Sequence, residues 1–564
     1  MQETKSGAEG KASRKGGTFT PLKHGVFRNM WAASVFSNLG LFILGVGAAW
    51  DMTKMSGSAS MVALVQTAMM LPVALFSLAA GAIADMFDRR KVAMAALTIS
   101  ISGSSLLTIL AHTGHISPYS MLLLCFIVGS GTALLWPTWG AAVSEQVPPD
   151  VLPAAVALNG ISYNTARSLG PAIGGVIVAA AGGVAAFGTA ALFFIPLLIV
   201  LFLWKRVSTP TRLPPERLGR ALITGIRYVS NSPSIRVVIG RTLIAGLAGG
   251  SVAALLPLVS RDLLHGGAQL FGFLLGAFGV GSILGALNFG KLRMRYSGEA
   301  ALRLCTLGMG AAVVVISLSP TAFLTIPALV LFGTSWTGCM MCCNVSVQLS
   351  APRWVAARSL AAYQASVSAG VGFGGWGWGV LANDVGVGHA LLASACVLIV
   401  SPILGRWMRM PTVADQTAVA GTELTDPEIR VPLLARSGPI VIEIEYRVEI
   451  RKARLFHAVM QRVRSSRTRN GAYGWSIARD LEDPEIWIER YHCPTWHDYL
   501  RQRNRPTVAE RELHARALKF HQGPEPVRIH RMLERPGGQV HWRDGLEDQG
   551  KLGPNGVITP PNTP

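Results

Sequence analysis

The chain has 564 residues, half of them apolar and only 15% charged, with a mean hydropathy of +0.39, a balance that excludes an ordinary soluble globular protein. The formal net charge of +20 does not point to nucleic acid: the stretch after residue 410 holds 23 basic and 20 acidic residues, so the excess sits in the apolar part, where basic loops report topology. A disulfide framework is excluded as well, because six of the seven cysteines lie in apolar segments.

Taken from the start, residues 1–26 read as a disordered polar tail. No signal peptide is expected, since the first apolar segment follows that tail and is too long for an h-region. From Phe27 to about Arg409, apolar segments of about 20 residues recur, each long enough to cross a hydrocarbon core of about 30 Å. Twelve are centred near residues 39, 72, 101, 128, 168, 194, 249, 279, 309, 335, 371 and 397. Six fall in 27–206 and six in 237–409, which predicts an all-α polytopic membrane protein of two six-helix halves. The halves repeat at a spacing of roughly 203 residues. Gly81-Ala82-Ile83 answers Gly285-Ala286-Leu287, Gly131-Thr132 answers Gly333-Thr334, and Pro148-Pro149-Asp150 answers Pro352-Arg353-Trp354. Such a duplicated hydrophobic chain is the signature of a secondary transporter.

An even number of spans puts both termini on one side. Loops on that side carry 25 Lys and Arg, and the opposite loops carry Lys54 and Arg261, which places both termini in the cytoplasm of a cell whose cytoplasmic membrane holds the protein. Between the halves, 207–236 has Leu218, Leu222, Ile226 and Val229 at helical spacing with Arg217, Arg220 and Arg227 on other faces. An amphipathic helix on the cytoplasmic bilayer surface is expected there. Residues 410–438 form a polar linker. In 439–535, Ile442, Ile444, Tyr446, Val448 and Ile450 alternate with charged residues as in a half-buried strand, and a helical stretch, two strands, a broken helix and a last strand follow. That β-α-β-β-α-β order predicts an α+β ferredoxin-like cytoplasmic domain. Residues 536–564 read as a disordered tail.

Four groups of residues carry chemistry. After the second segment stand Gly81, Asp85 and Asp88-Arg89-Arg90-Lys91, where a carboxylate beside basic residues can form charge pairs that break when a helix bundle rocks. The fifth segment reads Asn164-Thr-Ala-Arg167-Ser-Leu-Gly170-Pro171-Ala-Ile-Gly174-Gly175; its proline removes a backbone hydrogen bond, and its glycines permit bending or close approach. Arg167 lies at mid-membrane, where a cation costs about 2.5–3.5 kcal/mol on the lenient insertion scale, so it must face the bundle interior. Bracing the first segment and contacting a substrate both fit it. No carboxylate occupies the middle of a span, which leaves Asp51, at the outer end of the first, as the candidate coupling group for protons. Asn38, Gln66, Asn159, Asn164, Asn344, Gln348 and Gln364 suggest a polar cavity, and Trp136, Trp139, Trp336, Trp376 and Trp378 an aromatic wall, together suiting a large amphipathic small molecule. Cys339-Met340-Met341-Cys342-Cys343 is read as membrane-helix filling rather than a metal site. Neither His492-Cys493, whose side chains point to opposite faces of a strand, nor any other group predicts a metal or a cofactor.

Gly81 to Lys91 resembles motif A of the major facilitator superfamily, with departures at Met86 and Asp88, and Gly170-Pro171-x-x-Gly174-Gly175 resembles the antiporter motif of its exporters. More specific stretches are Phe27-Arg-Asn-Met-Trp31 with Ser37-Asn-Leu-Gly40, Asn164-x-Ala-Arg167-x-x-Gly170-Pro171, and Gln348-Leu-Ser-Ala-Pro352-Arg-Trp-Val-x-Ala-Arg358. On these the chain resembles the transmembrane secretion effector family, which includes enterobactin exporters, over nearly its whole length. Residues 439–535 resemble the dimeric barrel of antibiotic-biosynthesis monooxygenases. The resemblance implies proton-driven efflux of a siderophore, drug or secondary metabolite by alternating access, without a cofactor. It also implies that Asp85, Arg89 and Arg90 latch the cytoplasmic gate, that the glycines and Pro171 bend the fifth helix, and that Arg167 orders the cavity. Two alternatives stay open: a nutrient importer of the same fold, and an enzyme in which the C-terminal domain oxidises a quinol. For that domain, homodimerisation or regulation is the simpler role.

Overall fold

The computed structural model describes residues 19–148, 151–204, 218–352, 355–411, 427, 429, 433, 437–504 and 508–534. The tails expected to be disordered, most of the 410–438 linker, the first part of the inter-half linker, and Pro149, Asp150, Arg353 and Trp354 of the repeated breaks lie outside the described residues.

The first half is built from α1 (Gly25–Met55), α2 (Ala59–Met86), α3 (Arg89–His112), α4 (Pro118–Ala142) and α5 (Leu152–Leu203). Gly182, at φ 75°, interrupts α5 in a conformation that only glycine adopts without strain, so α5 supplies two spans, one on each side of it. The second half comprises α7 (Pro233–Leu258), α8 (Ala268–Arg295), α9 (Gly298–Leu318), α10 (Ala322–Ser350), α11 (Ala356–Val385) and α12 (Val387–Val400). Ten stretches among the described residues are apolar and long enough to cross a bilayer. The bend gives α5 a second span, and α11 has spanning length at 30 residues with its hydropathy diluted by glycine, which accounts for the twelve helices expected.

Small residues set the packing, and they set it twice. A methyl on Gly174 would stand 3.2 Å from the Ile43 Cα, and one on Gly170 2.8 Å from the Phe42 Cβ, which joins α5 to α1. In the second half α7 meets α11 the same way, with Gly246 against Gly370 and Gly250 against the Val371 backbone. Likewise Gly129 packs on Met69 between α4 and α2, as Gly333 packs on Phe278 between α10 and α8. Lipid tails are as apolar as leucine, so close backbone contact replaces the hydrophobic effect as the force joining these helices. The α1–α5 contact of the first half is thus repeated as α7–α11 in the second.

A second compact unit comprises residues 223–237, 346–359 and 411–564. Its sheet contains β1 (Ile440–Arg447), β2 (Tyr473–Arg479), β3 (Ile486–Cys493) and β4 (Arg528–Leu533) in the order β2-β3-β1-β4, antiparallel throughout. With α13 (Ala453–Arg469), α14 (Trp496–Asn504) and α15 (Val508–Leu518) this is the expected ferredoxin-like arrangement. Ile442, Ile444 and Tyr446 of β1 point into a core with Phe456, Met460 and Tyr491. Inside that core the fully buried Glu489 accepts hydrogen bonds from the Tyr446 hydroxyl (3.2 Å), Arg467 Nε (3.1 Å) and Trp475 Nε1 (3.0 Å), so its charge is paired and satisfied.

The helix expected between the halves is α6 (Leu218–Asn231). Its exposed Ile226 suits a bilayer surface, but its other face has a protein partner. Tyr228 is buried beneath the Arg469 guanidinium, 5.9 Å from its ring centre, and Arg227 reaches the Gly471 carbonyl at 3.4 Å. The α10–α11 turn joins the same unit, with Gly225 against the Arg358 side chain.

Candidate functional site

A cavity of about 620 Å³ lies between the two six-helix halves. The first half lines it with Asn38 of α1, Gln66 of α2, Trp136 of α4 and Tyr163, Arg167 and Pro171 of α5; the second half adds Phe278, Phe332, Trp336, Tyr363 and Gln364. Trp136 stands edge-on to Tyr163 at 5.7 Å between ring centres, and Phe332 stacks on Trp336 at 6.2 Å. Amide donors and acceptors thus interrupt a mainly aromatic wall. Asn159 adds a buried carbonyl oxygen that no described residue hydrogen-bonds.

Arg167 is the one lining side chain among the described residues that carries charge at neutral pH. Its guanidinium stands 4.9 Å from the centre of the Phe278 ring, so a cation from the first half rests on an aromatic face of the second. Among the described residues it forms no ion pair with a carboxylate. A group with five N–H donors thus stands at the cavity wall beside an aromatic ring.

The cavity runs toward the end that carries the basic loops, where Trp139, Gly140 and Val143 and the first turns of α5 line it. Contacts between the halves gather at the other end. There Trp50 stacks on Phe271 at 6.1 Å, Arg261 donates to the Thr53 carbonyl at 2.7 Å, and the Asn383 side chain accepts from the Ala59 amide at 2.6 Å. Toward mid-membrane α5 crosses α8 backbone to backbone: a methyl on Gly175 would lie 2.5 Å from the Gly272 Cα, and Gly279 abuts Ser168. Beyond that crossing, Gly140, Gly160 and Gly290 have no described neighbour within 4 Å of where a Cβ would stand. The contacts between the halves are thus concentrated at the end opposite the basic loops, with Ser77 of α2 still donating to the Ala361 carbonyl of α11 at 3.3 Å on the basic side.

The expected site residues separate into two groups. Arg167, Asn38, Gln364 and Trp136 line the cavity, as does Pro171. Asn164, Asn344, Gln348 and Asp51 do not. Asn164 turns back to the Gly160 carbonyl at 2.8 Å, Gln348 belongs to the second unit, and Asp51 lies against Gly183 beside the bend in α5, 3.9 Å from Lys54. Gly170 and Gly174 face α1, whereas Gly175 faces α8 in the other half.

At the basic end Asp88 caps α3 by accepting from the backbone amides of Arg90 and Lys91. Arg89 pairs with Glu145 at 2.9 Å, and Arg90 donates to the carbonyls of Leu201 and Phe202 at the end of α5. These partners all belong to the first half. The Asp85 side chain lies outside the described residues. Gly81 has no described neighbour within 4 Å of where a Cβ would stand.

Several residues escaped the sequence reading. Tyr163, Phe278 and Phe332 look like lipid-facing aromatics until the helix phases are known. A charge cluster in the second half was also missed: buried Arg241 of α7 reaches Glu299 at 3.6 Å, and Glu299 also holds Arg303 at 2.8 Å and the Met410 amide at 3.0 Å. An arginine at the ninth position of an apolar helix was the available signal for that cluster.

The transmembrane secretion effector family model matches residues 16–537. The enterobactin exporter EntS of Escherichia coli O1:K1 is 30% identical over 322 residues, covering 55% of this chain and 74% of its own. Its counterpart from Escherichia coli strain HS matches with the same identity and coverage. Among solved structures, a bacterial homologue of the human lysosomal transporter Spinster, in an inward-facing unoccupied conformation, superposes with a TM-score of 0.56 at 13% identity, covering 72% of this chain and 99% of that one. A D-xylose–proton symporter gives 0.56 at 12% identity, covering 69% and 99%. At these identities the structural matches show a shared fold.

Proposed function

The chain belongs to the transmembrane secretion effector family of the major facilitator superfamily, a multi-pass membrane transporter family, and from that membership we propose that it exports a small amphipathic molecule from the cytoplasm by alternating access. The observation that carries the proposal is the cavity itself: about 620 Å³ of mixed aromatic and amide lining, contributed by both halves and closed off at one end. Rocking the halves about the α5–α8 and α2–α11 crossings would close the basic end and open the other. The charge asymmetry of the loops supports a cytoplasmic basic end, so the cavity as described is loaded from inside. In this reading Arg89–Glu145 and the Asp88 cap steady the first half at the gate, and Gly170, Pro171, Gly174 and Gly175 set the path of α5.

Siderophores of the catecholate type, aromatic and amide-rich, suit the lining, and enterobactin is named in the relatives' function. The energy source in this reading is the electrochemical proton gradient. Enterobactin and amphipathic drugs are to be followed in cells lacking and expressing the protein, with and without an uncoupler. Expression is expected to lower the accumulation of at least one compound several-fold, and the uncoupler to restore it. Unchanged accumulation of every compound removes the exporter reading.

A further inference from the structure

We propose that the exported molecule is an organic anion and that Arg167 is the counter-charge that receives its acidic group in the cavity. The assignment deepens the exporter reading and rests on it. Three features of the same cavity converge. Arg167 is the lining side chain that bears charge at neutral pH among the described residues, and no carboxylate lines the cavity with it. Its guanidinium rests 4.9 Å from the Phe278 ring centre and forms no ion pair among the described residues, so its N–H donors are not taken up by a carboxylate there. Trp136, Tyr163 and Trp336 line the same cavity and fit an aromatic body attached to the acidic group. A cationic drug would meet uncompensated repulsion at this depth. A neutral one would leave the guanidinium without the partner its burial calls for.

The same geometry has an electrical consequence. The empty cavity carries one positive charge and the anion-loaded cavity none, so a complete cycle moves net charge across the membrane. For a monoanion leaving a cell that is negative inside, the potential favours the outward ratio by about 50-fold per 100 mV. Drive by the membrane potential therefore needs no titrating carboxylate in the cavity.

The test uses the full chain in proteoliposomes and two probes of the same ring system, naphthalene-2-sulfonate and the neutral naphthalene-2-sulfonamide. Binding of each is measured, and each is applied as a concentration jump while charge movement is recorded on a solid-supported membrane. The sulfonate is expected to bind about tenfold or more tighter than the sulfonamide, as a hydrogen-bonded charge pair warrants, and to give a current that the sulfonamide does not. Arg167→Gln should abolish both the preference and the current while sulfonamide binding persists, which also reports that the variant is folded. Arg167→Lys should keep the preference in weakened form. Equal binding of the two probes, or a preference that survives Arg167→Gln, overturns the anion assignment and leaves the exporter reading standing. Failure of both probes to bind overturns it too, and the exporter reading then stands or falls on the accumulation experiment.

Discussion

His514, half-buried in the C-terminal unit, shows how a single residue there responds to acid. Burial first, and then the nearby Arg467 and Arg469, push the imidazole from its ordinary 6.5 down to about 3. Its Nε2 has no hydrogen-bond partner among the described residues, so the ring is held neutral. Because the folded value lies below the unfolded one, the unfolded chain takes up a proton between pH 6.5 and about 3 and the folded chain does not. Stability is thus complete above pH 6.5 and falls as the pH drops through that window, by about 1.4 kcal/mol per unit. Hydrogen exchange at β1 and β3, corrected for intrinsic rates, should show protection lost from pH 7 to 5, and His514→Gln should flatten the loss. Which residues meet was less legible than which residue types are present. Arg167 could be singled out because a mid-span cation has few places to go. Asn164, three positions away, points elsewhere, because a helix that is apolar all round does not reveal its phase. The burial of Arg241 against Glu299 is a pairing that only the packed structure shows.

At the scale of elements, α5 serves both halves. One of its faces presents Gly170 and Gly174 to α1, and another presents Gly175 to Gly272 of α8. A methyl at Gly174 meets a neighbour at 3.2 Å, where a few tenths of an ångström of adjustment suffices. One at Gly175 meets a backbone atom at 2.5 Å, which no rotamer can relieve. Gly175→Ala should therefore reduce export by about tenfold or more at unchanged membrane levels, and Gly174→Ala by much less, measured as initial efflux rate; that factor corresponds to about 1.4 kcal/mol of misfit at the crossing. The element order was readable from periodicity alone: twelve apolar segments, then strand alternation and the β-α-β-β-α-β order. Crossings such as Gly175–Gly272 were not, because a Gly-rich stretch announces close packing without naming the partner.

For the molecule as a whole, the loop charges make orientation testable. The positive-inside asymmetry predicts that a maleimide unable to cross membranes labels Lys54→Cys in intact cells and Lys291→Cys only after permeabilisation; the reverse pattern would invert the topology and turn the cavity's open end outward. The appended unit is assembled from three stretches far apart in the chain, 223–237, 346–359 and 411–564. Its sheet and helices leave the ribosome after α6 and the α10–α11 turn. Tyr228 and Arg227 are thus made long before Arg469 and Gly471, and they wait for them through the synthesis of six membrane spans. The closure of Arg469 and Gly471 onto α6 therefore follows the synthesis of those spans, so a product truncated before Arg469 lacks it however well its spans have inserted.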